Sequence, residues 1–257
     1  MKLRLAFILL ITTLLFECSS TKKRPIRPFN VAPGIFATMQ MPTLYDSSRN
    51  RSIPIAIYSK VQRLKNQKIV IFNVGYGGTN KDYGYIAYNL CANNYFVVVI
   101  QQDLPTDQPI PTTGDIYKLR KPFWDRGIQS TLFVIAKIKK MHPDLDYDHL
   151  IMMGHSNGAD MAMLIANEYP KLAKTVITLD NRRVPFPRAS KPKIFSIRSI
   201  DQPADPGVIP TLSEQKRYHI KIVKSDIKHD SMGGYEETDG QKKEINDLII
   251  DYLNNPQ

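Results

Sequence analysis

"IMMGHSNGADMAM", Ile151 to Met163, passes from a short apolar run through two glycines into a stretch with helical spacing, and it holds Ser156 at the change. The run before it, His149 to Met153, has the length and character of a buried strand, and Ala159 to about Glu168 continues as a helix. A serine hydroxyl is a weak nucleophile until a base takes its proton, and it must project to where a carbonyl carbon can approach. A tight strand-to-helix turn supplies that projection. Gly154 and Gly158 flank Ser156 where a missing Cβ relieves the crowding of such a turn, and Ala159 and Ala162 are small enough for close helix packing.

Outward from this stretch, strand-like and helix-like segments alternate, the pattern of a largely parallel sheet covered by helices on both faces. "SIPIAIYSK" from Ser52 alternates Ile53, Ile55 and Ile57, and "KIVIFNVGYGG" from Lys68 runs from an apolar strand into a glycine turn. Tyr83 to Ala92 reads as a helix, and "YFVVVIQQD" from Tyr95 as a strand buried on both sides. A loop carrying Pro105, Pro109 and Pro111 follows Asp103 and is expected to wall one side of a site. Trp124, Ile128, Leu132, Ile135 and Ile138 then recur at helical spacing, making Phe123 to Lys140 an amphipathic helix. Strands "TVITLD", "KIFSIRSI" and "YHIKIV" come next, and Ile245, Leu248, Ile249, Tyr252 and Leu253 mark one apolar face of a closing helix.

The chain has 257 residues, 42% hydrophobic and 23% charged, which suits one large domain with a substantial core. Lys2 and Arg4 precede an apolar run from Leu5 to Phe16, so residues 1–20 read as an export signal; the run is too short to span a bilayer comfortably. Cys18 directly after it resembles the lipidated cysteine of a bacterial lipoprotein, although Glu17 departs from that pattern, and ordinary cleavage after Ser20 is the alternative. Both routes lead to a periplasmic or extracellular location. Residues 21–30 are basic and proline-bearing, as in a tether, and residues 31–257 form the folded domain. Cys91 lies in an apolar helical context and reads as a buried small hydrophobe rather than half of a disulfide. The net charge of +11 is scattered and accompanied by no nucleic-acid motif, so no nucleic-acid partner is expected.

With its strand before and helix after, the G-x-S-x-G of residues 154–158 resembles the nucleophile elbow of the alpha/beta-hydrolase superfamily. "YDSSRNRSIPIAIYSK" is similar to the opening strands of exported esterases related to platelet-activating-factor acetylhydrolase and dienelactone hydrolase. The resemblance implies an alpha/beta-hydrolase fold and a triad in the order serine, acid, histidine. Ser156 is then the nucleophile, and His229, after the last strand and before "DSMGG", is the base. His155, inside the elbow, is expected to point away from the nucleophile. For the acid, Asp201 is the first carboxylate beyond "KIFSIRSI" and is preferred; Asp205 and Asp180, at the end of "TVITLD", remain candidates. The oxyanion donors implied are the backbone amides of Asn157 and Tyr76, the latter within "NVGYGG", which resembles the family's His-Gly-x-Gly-Gly turn with Val74 in the histidine's place.

Only "NRRVPFPRASKPK" separates Asp180 from the next strand, so no large lid fits and the site should be open. Arg182 and Arg183 in this link are candidate substrate-binding residues for an anionic group, with salt bridges to nearby carboxylates as the competing role. Asp144, Asp146 and Asp148 alternate like a calcium loop, but His149 and His155 stand where that loop needs glycine and glutamate, so no metal is expected, and no organic cofactor. The expected activity is hydrolysis of a small-molecule carboxylic ester through an acyl-enzyme. Thioester or amide hydrolysis, or a catalytically silent surface binding module of the same fold, are the alternatives.

Overall fold

The computed structural model describes residues 37–234 and 237–255. The expected leader, Cys18 and the basic linker of residues 1–30 lie outside the described residues, as does the expected domain start at Val31. The elements, in chain order, are β1 (Ala37–Gln40), β2 (Thr43–Asp46), β3 (Arg51–Lys60), β4 (Lys68–Asn73), α1 (Gly84–Ala92), β5 (Phe96–Ile100), α2 (Ile116–Met141) and β6 (Asp146–His155). They continue with α3 (Asn157–Glu168), β7 (Thr175–Leu179), β8 (Lys193–Arg198), α4 (Leu212–Tyr218), β9 (Ile220–Lys224), a 3-10 turn (Asp230–Gly233) and α5 (Asp239–Asn254).

The strands join in the order β1-β3-β5-β4-β6-β7-β8-β9, with β2 also on β3. Pairing is antiparallel among β1, β2, β3 and β5 and parallel from β5 through β9. Because side chains alternate along a strand, each one serves two cores. Ile69 and Ile71 of β4 join Met152 of β6 under Trp124 and Ile128 of α2 and Met161 and Ile165 of α3. Val70 and Phe72 join Ile151 and Met153 on the other face, beneath Ile86 and Leu90 of α1 and Ile245, Ile249 and Tyr252 of α5. This is a mostly parallel sheet with helices on both faces and no large lid among the described residues: the link from Asp180 to Pro192 contains no helix.

Of the boundaries that differ from the sequence expectation, two have a readable cause. Helix α2 begins at Ile116, ahead of Pro122, because Asp115 caps it by accepting the Lys118 N–H at 3.2 Å. The helix tolerates the missing donor of Pro122 and shortens the proline loop from its carboxyl end. Tyr218, expected to open the last strand, instead closes α4, a helix with no buried residue whose amphipathic signal is therefore absent. Its capping box of Thr211 and Glu214 was the readable sign.

Candidate active site

The parallel strands end side by side. Asn73 of β4 is level with Gly154 of β6, Gly154 with Thr178 of β7, and Thr178 with Ser196 of β8, so the segments leaving these strands emerge along one edge. Such a carboxyl edge is where open α/β sheets place their ligands.

Ser156 occupies the turn from β6 to α3 with φ 52° and ψ −120°, a conformation L-residues seldom adopt. The flanking glycines make it attainable. A Cβ on Gly154 would lie 2.3 Å from the Gly158 carbonyl oxygen, and one on Gly158 would lie 2.2 Å from that of Asn73. The turn thus presses the start of α3 against the end of β4. The Ser156 N–H donates to the Leu179 carbonyl at 2.9 Å, tying the turn to β7 as well.

His229 Nε2 lies 2.8 Å from Ser156 Oγ, and His229 Nδ1 lies 2.5 Å from Asp180 Oδ2. The carboxylate on the imidazole is therefore Asp180, and the preference for Asp201 is corrected. Asp201 Oδ1 accepts the His229 backbone N–H at 2.8 Å, so it holds the residue by its main chain and leaves the ring to another group. Asp205, the other alternative, pairs with Arg183. Two features aim Asp180 at the ring. Its φ of 56° lies in the left-handed region, which aspartate tolerates better than most residues, and its N–H donates to Ile197 of β8 at 2.9 Å.

Asp180 is fully buried, yet each oxygen is satisfied. Oδ2 accepts from the Ser199 hydroxyl at 2.8 Å as well as from His229, and Oδ1 accepts from the Ser199 N–H at 3.1 Å and from Arg198 Nη2 at 2.7 Å. Burial alone would raise its pKa, but the His229 hydrogen bond, the Arg198 charge and the Ser199 bonds together outweigh it, holding the carboxyl below its ordinary range. Sequence reading missed Arg198 and Ser199, whose only signal was their place at the end of a strand beside the acid's own.

The backbone donors sit on the two segments that abut. The first N–H of a helix has no intrahelical partner, and that of Asn157 finds none among the described residues. Its side chain is anchored, with Oδ1 accepting from Trp124 Nε1 at 2.7 Å. On the facing segment, Gly75 to Gly78 forms a turn closed by the Gly78 N–H on the Gly75 carbonyl at 3.0 Å, with Gly77 at φ +72°, as a type II turn requires at that position. The Gly75 N–H donates to Tyr83 Oη at 3.1 Å, and the Gly77 N–H to Asp103 Oδ2 at 3.3 Å. Between them the Tyr76 N–H has no partner among the described residues. Val74, in the histidine's place, is buried apolar core, and Tyr83 and Asp103 anchor the turn.

Arg182 and Arg183 are engaged within the fold. Their N–H groups and that of Val184 donate to the buried Asp160 Oδ1 at 3.0, 2.8 and 3.0 Å, clamping the segment after Asp180 onto α3. The Arg182 guanidinium bonds Gln202 and the Pro203 carbonyl, while that of Arg183 pairs with Asp205. The substrate-binding expectation for these two is thereby corrected: the salt-bridge role holds for Arg183 and a polar structural role for Arg182. Asp160 was overlooked in the sequence; a lone acid amid "GADMAMLIA" was the clue. Burial pushes its pKa up to about 6 against the pull of the three N–H groups.

No protein-family model matches the chain, and no curated protein matches it in sequence. Solved structures do match its fold. A dienelactone hydrolase-like promiscuous phosphotriesterase from metagenomic libraries aligns with a TM-score of 0.64 at 12% identity, over 85% of this chain and 97% of that one. A thermophilic carboxylesterase cloned from a metagenomic library aligns at 0.63 and 13% identity, over 88% and 92%. An esterase from Rhizomucor miehei aligns at 0.60 and 10% identity, over 86% and 84%. The fold shared with these proteins is that of the alpha/beta hydrolases.

Proposed function

We propose that the protein is a serine hydrolase that cleaves carboxylic esters of small molecules through an acyl-enzyme. The observation that carries this reading is the continuous line Ser156 Oγ, His229, Asp180, at 2.8 and 2.5 Å, beside two backbone N–H groups on abutting segments. His229 Nε2 takes the Ser156 proton as Oγ bonds the ester carbon, and the carbonyl π pair moves onto oxygen, where the Tyr76 and Asn157 N–H groups receive it. Collapse breaks the bond to the alcohol oxygen, which leaves with the proton from His229. A water then follows the same course: His229 takes its proton, its oxygen adds to the acyl carbon, and Ser156 departs reprotonated. Asp180 holds the imidazole with Nδ1–H toward itself and stabilises the imidazolium.

Tyr76 and Ile200, large and mainly hydrophobic side chains 47% and 62% exposed, belong to the segments that carry the Tyr76 N–H and Asp201. Together with the absence of a large lid among the described residues, this supports an uncharged, readily admitted acyl group. The leader pattern of residues 1–20 supports action outside the cytoplasm, with Cys18 as a lipid anchor; Cys18→Ser should then release the protein from membranes, and an unchanged membrane fraction counts against anchoring.

The test is fluorophosphonate labelling with the adduct located by mass, beside hydrolysis of short-chain aryl esters. Wild type should carry the adduct on Ser156, and Ser156→Ala should lose both adduct and turnover. Folded wild-type protein that neither labels nor hydrolyses overturns the reading in favour of a silent binding module. Matched thioester and amide substrates separate the ester preference from its neighbours.

A further inference from the structure

His155 is 5% exposed and lies next to Ser156, yet the triad makes no use of it. Its Nε2 is 3.1 Å from the His229 carbonyl oxygen and its Nδ1 is 2.8 Å from Tyr83 Oη. A carbonyl can only accept, so Nε2 carries the proton and donates. In the neutral ring Nδ1 must then accept, and Tyr83 donates to it. The Tyr83 oxygen in turn accepts the Gly75 N–H at 3.1 Å. One directed line thus runs from Gly75, through Tyr83 and His155, to the backbone of His229. Its two ends are the residue before the Tyr76 donor and the residue that bears the base.

We propose that His155, with Tyr83, is a positioning residue that ties the Gly75–Gly78 turn to the His229 backbone, so that oxyanion donor and base keep one spacing about Ser156. This rests on the hydrolase reading of Ser156 and His229 and deepens it. The line leaves the carbonyl side of His229 held by His155 and by the Met232 N–H at 3.1 Å, while Asp201 holds the N–H side. The rings of His155 and His229 lie 4.7 Å apart at 41°, so the imidazole of the base rests against the residue that holds its main chain. Burial first, and the neighbouring His229 second, push the His155 pKa down to about 3, and the ring stays neutral at working pH. A charged His155 would need an acceptor at Nδ1, where Tyr83 now donates.

Two measurements on the full chain test the bridge. In ¹⁵N-labelled protein, long-range proton–nitrogen correlation at pH 7 should show His155, identified by its loss in His155→Gln, as the neutral Nε2–H tautomer. In kinetics on aryl esters, Tyr83→Phe keeps the ring but removes the hydroxyl bonds to Gly75 and His155. It should lower kcat about tenfold or more with KM changed less than about twofold, and weaken a boronate or trifluoromethyl ketone inhibitor by the same factor as kcat. His155→Leu should lose at least as much. His155→Gln, which offers a donor to His229 and an acceptor to Tyr83, should recover most of it. An Nδ1–H or charged His155 overturns the bridge, and so does wild-type kcat and inhibitor binding in folded Tyr83→Phe and His155→Leu. Wild-type protein without turnover overturns the hydrolase reading instead, and the tautomer, read without substrate, tells the two failures apart.

Discussion

Asp180 and Asp201 are both carboxylates near His229, and only their contacts separate them: one meets the ring, the other the main chain. Asp180→Asn presents an amide where the imidazole needs an acceptor of full charge, and it also takes from Arg198 its buried carboxylate partner. Turnover should fall by about 10³- to 10⁴-fold. Asp201→Asn retains an oxygen for the His229 N–H and should cost less than about tenfold; comparable losses in the two variants would contradict the assignment. His155 supplies a pH signature. Its folded pKa is depressed, so between the ordinary value near 6.5 and about 3 the unfolded chain binds a proton that the native protein does not. The contribution of His155 to stability should therefore decline as pH falls through that window, by up to about 1.4 kcal/mol per unit, and level off below it. Asp160, with its raised pKa, titrates in the same window with the opposite sign, so the His155 slope is read as the difference between urea titrations of wild type and His155→Gln across pH.

At the level of elements, the turn from β6 into α3 depends on a backbone approach that no side chain permits. Gly158→Ala places a methyl group 2.2 Å from the Asn73 oxygen, with backbone on both sides of the contact. A loss of more than about 3 kcal/mol is expected in denaturant unfolding, and a fully stable variant would show that β4 and α3 do not meet there. Helix α5 offers the opposite case. Tyr252 stacks on Phe195 at 4.5 Å and 14°, but its buried hydroxyl has no partner among the described residues. Tyr252→Phe keeps the stack and removes the orphan group, so stability should hold or rise by about 1 kcal/mol. A marked drop in thermal midpoint would reveal a partner for that hydroxyl.

Across the whole molecule, the candidate site is assembled from the ends of β4, β6, β7 and β8 and the segment after β9, and Ser156, Asp180 and His229 each follow a different strand. The two cores share the same sheet, since alternate residues of every central strand belong to opposite faces. Activity and global fold should consequently fail together: urea midpoints from ester hydrolysis and from far-UV circular dichroism should coincide. Earlier loss of activity would mean that the strand-end segments open on their own.

What the sequence by itself determined is local. The alternation of Ile53, Ile55 and Ile57, the short apolar runs of the buried strands, the helical spacing of Trp124 through Ile138 and the glycines about Ser156 each encode their structure within a few neighbours, and so they read correctly without coordinates. That Ser156 and His229 belong together was implied by the resemblance to the alpha/beta-hydrolase order of serine, acid and histidine, and their 2.8 Å contact is a feature of the tertiary structure. Only the tertiary structure decided which acid meets the imidazole, because that choice turns on a positive φ at Asp180, on the neighbouring β8 and on Ser199 and Arg198, none of which leaves a mark on the spacing of carboxylates. The same holds for Arg182, Arg183 and Asp160, and for His155: a charged or polar residue shows its chemistry in sequence, but its partner lies across the fold.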